Sequence, residues 1–201
     1  MRSDRPRKPD FEITTQWELE ARPEELTDIV LDPDQLQFWC PNVFMRGELV
    51  HKGAADGLGM TIRLHTKGWL PHSFFFIARI AELVPHRSMT ISVQGDFNGA
   101  GYMDVSETSP GHCVANLTWR VDISQPYIRY FVRVLKPVFV LNHIWSASQS
   151  RKLMQREVLR RRNRSNTFSA VRPTFPHNIP GFMNLKVRRS APKYWRRSDE
   201  K

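Results

Sequence analysis

Phe11, Ile13, Thr15, Trp17 and Leu19 alternate with Glu12, Thr14, Gln16, Glu18 and Glu20. Period two over this length predicts a half-buried strand across 10–20. Residues 21–31 change period. Pro23-Glu24-Glu25 suits a first helical turn, and Leu26, Ile29 and Val30 follow at helical spacing. Asp32-Pro33-Asp34 starts a second short helix in which Asp32 caps and Leu36, Phe38 and Trp39 point inward. Cys40-Pro41-Asn42 ends it. Strand-like runs then occupy 43–51, 60–69, 72–84, 88–96, 99–107 and 113–123, separated by short polar or glycine-containing breaks. Breaks this short favour antiparallel neighbours joined as a meander.

From 126 to 162 the chain returns to helical period and stays there. Phe131, Val134, Val138, Leu141 and Trp145 recur at three- and four-residue steps and predict an inward stripe, widened by Leu135, Asn142 and Leu153. Ser124 is placed to cap this helix and Pro126 to sit in its first turn, while Pro137 should bend or break it. Arg129, Arg133 and Lys136 interrupt the apolar run, which falls short of the ~20 residues a bilayer span needs. The order is one strand, two short helices, six strands and one long helix. This is an α+β pattern in which a seven-stranded antiparallel sheet needs a cover for its apolar face, and the long helix is the element able to supply it.

Charge changes the picture only when it is divided along the chain. Residues 151–201 hold 15 Lys+Arg against 3 Asp+Glu, whereas residues 1–150 hold 15 against 17. The globular part is nearly neutral, and the basicity belongs to the end of the long helix and to residues 163–201. We expect a polar lead over 1–9, one domain over 10–162, and a basic, proline-containing tail over 163–201. The two cysteines, Cys40 and Cys113, fit no metal-ligand spacing and read as reduced thiols, and the charged N-terminus has no apolar leader core, so the expectation is a cytoplasmic protein. The seven histidines show no HxxxH or HExxH spacing, and no P-loop or GxSxG is present. The reading therefore assigns no metal and no cofactor.

Several strings in this order resemble the START-related superfamily, often called SRPBCC, which includes polyketide cyclase/dehydrase-like and lipid-transfer proteins. They are Trp17 with Arg22-Pro23-Glu24-Glu25-Leu26, Asp32 ahead of Phe38-Trp39, Gly95-Asp96-Phe97-Asn98-Gly99 with Gly101, Trp119 with Val121, and Leu135-Lys136-Pro137 with Asn142-His143. The resemblance covers about 10–162. It implies a helix-grip fold: a curved seven-stranded sheet around the C-terminal helix, two short helices after the first strand, and a cavity between sheet and helix. Members bind lipids, polyketides or other apolar molecules there, and some are enzymes.

The residues expected to face such a cavity are Trp17, Trp39, Trp69, Phe74, Phe76, Tyr102, Trp119 and Trp145 as apolar walls, with Arg63, His65, Gln94, Asn142 and His143 as polar groups. Binding or transport of an apolar small molecule or lipid is the leading expectation. A cyclase/dehydratase is the alternative, with His143 as base and Asp96 and Arg63 beside it. The third is docking on an anionic membrane or nucleic acid through 186–197, where Lys and Arg surround Tyr194-Trp195.

Overall fold

The computed structural model describes residues 9–124, 129–131, 134–168 and 171–179. Strand β1 (Phe11–Leu19) leads through helix α1 (Pro23–Val30), a 3-10 turn (Pro33–Gln35) and helix α2 (Leu36–Trp39) into a meander. The meander consists of β2 (Phe44–His51), β3 (Thr61–Lys67), β4 (Ser73–Val84), β5 (Ser88–Gly95), β6 (Phe97–Ser109) and β7 (His112–Ile123), and helix α3 (Lys136–Arg162) follows. All neighbours pair antiparallel in one curved sheet ordered β1-β7-β6-β5-β4-β3-β2. β1 closes the sheet against β7 in a register running from Phe11↔Val121 to Leu19↔Cys113. This is the helix-grip architecture, and each predicted strand lies within two residues of an observed one.

Alternation decides which side chains enter the concave face. Phe74, Phe76, Ala78 and Ile80 of β4 are buried there, as are Trp17 and Leu19 of β1 and Met103 and Val105 of β6. α1 seals one end. Pro23 occupies its first turn, the Glu25 carboxylate accepts the Arg22 N–H at 2.8 Å, and Leu26 and Ile29 are fully buried. Burial of such a side chain contributes roughly 1.5–3 kcal/mol. Asp32 does not cap the following turn as predicted. Its carboxylate instead accepts Arg161 Nη2 at 2.7 Å. Phe38 does not point inward either; it is 48% exposed and packs its ring against Phe168 at 5.6 Å.

α3 departs from its predicted stripe. Phe131, Val134 and Leu141 are exposed, and the buried positions are Asn142, Ser150, Leu153, Met154, Glu157 and Val158. The break predicted near Pro137 is present: residues 129–131 and 134 are helical, and the long helix starts anew at Lys136. Leu135 leaves helical geometry, at φ −110° and ψ 29°, and Pro137 sits in the first turn, where a missing N–H costs nothing. Pro126 lies outside the described residues. Ser124 donates to the Gly95 carbonyl at 2.6 Å and accepts from Asn98 Nδ2 at 2.7 Å.

Beyond α3, residues 165–168 and 171–179 lie against the domain. Phe168 and Val171 pack on the core. His177 is buried, and Lys67 Nζ donates to the carbonyls of Thr174 and Phe175 at 2.9 and 3.0 Å. This segment covers the outer face of β3, so β3 is buried on both sides.

Candidate ligand-binding cavity

The first half of α3 does not touch the sheet everywhere. Between them lies a cavity of about 230 Å³. β1 contributes Phe11, Thr15 and Trp17; β7 contributes Leu117, Trp119, Val121 and Ile123. Val43, Phe44, Phe74, Phe76 and Phe97 complete the apolar wall, and Thr66, Lys67 and Gly68 line it at the end of β3. The rings contact one another, Phe74 with Phe97 at 4.5 Å and Phe76 with Trp119 at 6.4 Å, in tilted and edge-on geometries favourable for aromatic pairs. The helix side is smaller and more polar: Phe139, Asn142, His143, Ser146, Ala147 and Ser150.

Most of that polarity is internally satisfied. Asn142 Oδ1 accepts the Leu70 N–H at 3.0 Å, and the Ser146 hydroxyl donates to the Asn142 carbonyl at 2.9 Å. Gly68 makes this possible, because a Cβ there would collide with the Asn142 carboxamide. Ser150 Oγ lies 3.5 Å from the sulfur of Cys40, whose thiol burial pushes up to about 12, so it stays protonated and inert. His143 is different. Its ring meets Phe11 edge-on at 5.7 Å, and burial lowers its pKa to about 4, so the imidazole is neutral. The indole N–H of Trp17 is buried without a hydrogen-bond partner among the described residues.

Of the residues expected at the site, Trp17, Phe74, Phe76, Trp119, Asn142 and His143 converge on this cavity. The others lie outside its lining. Arg63 and His65 share a strand face, as their spacing required, but Ile62 and Leu64 take the core side of β3. Arg63 Nη1 donates to Glu48 at 3.2 Å. His65 stacks on Phe75 at 4.0 Å and bonds Ser73 at 2.9 Å, with its pKa lowered to about 3 by burial first and by His177 second. Asp96 is buried with its carboxylate on the Phe75 N–H at 2.8 Å. Gln94 and Tyr102 point outward, and the Tyr102 ring lies under the Arg120 guanidinium at 5.7 Å. Trp69 is 40% exposed and Trp145 is half-buried on α3. Trp39 lines a second space of about 220 Å³ with Leu153, Glu157, Arg160 and Phe168. Sequence reasoning missed Phe11, Thr15, Phe139, Ser146, Ala147 and Ser150. The β1 positions were legible as the same face as Trp17; Ser146, Ala147 and Ser150 were not, because they are small or polar, and Phe139 lies off the stripe that apolar spacing picked out.

Among the described residues no group of His, Cys, Asp and Glu could hold a metal ion, and no helix is long and apolar enough to cross a membrane. The basic cluster at 186–197 lies outside the described residues.

Solved structures share this architecture. A START superfamily protein from Mycobacterium smegmatis superposes with TM-score 0.60 at 18% identity, over 74% of this chain and 97% of that one. The Zhui aromatase/cyclase of a Streptomyces species matches with TM-score 0.60 at 12% identity, over 75% of this chain and 94% of that one. Norcoclaurine synthase from Thalictrum flavum, in complex with dopamine and hydroxybenzaldehyde, matches with TM-score 0.53 at 15% identity, over 74% and 86%. At these identities the likeness establishes the fold, which is that of the START-related, SRPBCC-type proteins. No family model matches the chain, and no curated protein is similar to it in sequence.

Proposed function

We propose that this protein binds an apolar small molecule between the sheet and the first half of α3. The observation that carries the reading is the cavity itself: about 230 Å³ walled by aromatic side chains from β1, β2, β4, β6 and β7. A core of this kind normally closes on itself, since interiors pack with few voids larger than a water molecule. An apolar space of this kind is the usual form of a ligand site, here somewhat below the ~300–1,000 Å³ typical of drug-sized ligands. Its size favours a compact molecule of one or two rings over a long acyl chain. The solved proteins of the same fold include one in complex with dopamine and hydroxybenzaldehyde, which supports a ligand of small aromatic size.

A carrier or sensor is favoured over a cyclase/dehydratase. Neutral His143 is the one group in the lining suited to act as a base, and the carboxylate and guanidinium expected beside it, Asp96 and Arg63, are bonded to Phe75 and Glu48 instead. Free, buried Cys40 and Cys113 support a reducing, cytoplasmic setting. Native mass spectrometry of protein purified from its own host, with organic extraction of the complex, tests the reading. A stoichiometric apolar molecule is expected. A protein that is empty and also takes up no neutral aromatic probe would overturn the proposal.

A further inference from the structure

The unsatisfied polarity of the cavity specifies what the ligand carries. This inference rests on the binding reading above and narrows it. Among the described residues the lining contains no aspartate or glutamate, so no carboxylate there balances a cationic ligand. Its one charged residue, Lys67, has its three ammonium donors engaged by Thr174 O at 2.9 Å, Phe175 O at 3.0 Å and His177 Nδ1 at 3.3 Å, which leaves none to recognise an anion. Uncharged ligands are the ones this lining accepts without an unpaired buried charge.

Among the described residues His143 makes no hydrogen bond to the protein, although it lines the cavity. A neutral imidazole offers one donor and one acceptor. Buried polar groups are almost always bonded, and groups left over in a cavity are the ones a ligand completes. On that helix face Asn142 commits its Oδ1 to Leu70 and Ser146 its proton to the Asn142 carbonyl, so the groups there that can still meet a ligand are His143 and the Asn142 Nδ2 donors. A second leftover group, the Trp17 indole N–H, is a donor in the same lining. From this pattern we infer that the ligand is an uncharged one- or two-ring aromatic molecule bearing a hydroxyl or carbonyl oxygen, and that His143 holds that oxygen.

Four probes of one shape separate the possibilities: 2-naphthol, 2-methylnaphthalene, 2-(aminomethyl)naphthalene as the cation and 2-naphthoate as the anion. Affinities are measured by calorimetry at pH 7 on the full chain and on His143→Leu. The expected result is that 2-naphthol binds, the two ions bind at least tenfold more weakly, and His143→Leu weakens 2-naphthol about tenfold while leaving 2-methylnaphthalene within about twofold, as a lost hydrogen bond requires. Should that variant fail to fold, the wild-type protein answers alone, because its His143 ring 15N resonances should move with 2-naphthol and stay in place with 2-methylnaphthalene. Binding of both neutral probes with no such difference would overturn this inference and leave the cavity reading standing. So would tighter binding of either ion. Binding of none of the four would overturn both.

Discussion

Along α3 the inward face changes character near Ser150. Towards the C-terminus it is a packed anchor: Leu153, Met154 and Val158 are 2%, 0% and 1% exposed. Glu157, equally buried, accepts from Arg160 at 2.6 and 2.7 Å and from Arg161 at 2.8 Å. Arg161 reaches on to Asp32, and Arg162 grips Glu25 through both oxygens at 2.8 and 2.7 Å. Towards the N-terminus the same helix roofs a cavity with Asn142, His143, Ser146 and Ala147, while Leu141 and Ile144 on its outer side are 59% and 47% exposed. One helix thus serves two purposes. The second half holds it on the domain, which frees the first half from having to pack.

Mutations should tell anchor from roof. Met154→Ala removes a fully buried side chain and should cost about 2–5 kcal/mol in urea unfolding, whereas Ala147→Leu fills open space and should stay within about 1 kcal/mol of wild type. Equal losses at the two sites would mean that the two halves are packed alike. Glu157→Gln should cost about 2–4 kcal/mol, somewhat below a fully buried pair because Arg161 is partly exposed. A larger loss from His143→Leu than from Glu157→Gln would reverse the assignment of anchor and roof.

Acid reads the two halves separately. Arg162 donates to Glu25 and, with the Arg22 N–H, holds its pKa at about 2 rather than 4.5. Burial alone would raise Glu157, but the bonds from Arg160 and Arg161 outweigh it and leave its pKa lowered. Both carboxylates bind protons more readily in the unfolded chain, so their stabilisation is present above 4.5 and is lost in acid, for Glu25 as pH falls towards 2. The cavity half titrates higher. His143, neutral until about pH 4 when folded and ordinarily protonated near 6.5, makes stability rise with pH between those values. Urea midpoints taken across pH 3–7 should show Glu25→Gln flattening the lower part and His143→Leu the upper part, the latter by up to ~1.4 kcal/mol per pH unit.

The sheet was legible because strand-like runs with short breaks survive in the strands observed, and on β1 the two-residue period of Phe11 to Leu19 reads directly as an inward face. The resemblance carried by Gly95–Gly101 has a physical basis too. Gly99 holds a φ of +151°, and a side chain there would strike the Arg120 carbonyl. The site was half legible. Apolar periodicity identifies a face that packs, but a helix roofing a cavity need not be apolar, so the stripe through Val134 and Leu141 was placed inward when Ser146, Ala147 and Ser150 face in. Arg63 and His65 were assigned to the right strand and the wrong side. Period two says that they share a face and cannot say that a segment more than 100 residues later, at Thr174 to His177, covers it.

Occupancy of the cavity is best tested by titration with 6-propionyl-2-(dimethylamino)naphthalene, a neutral two-ring probe whose emission shifts to the blue when it is desolvated. Wild type is compared with Ala147→Trp, which fills the cavity from the helix side. Saturable one-site binding in wild type, abolished in a variant whose unfolding midpoint is unchanged, is the predicted result. Undiminished binding in the folded variant would place the probe elsewhere and contradict the claim that this protein binds its ligand beneath the first half of α3.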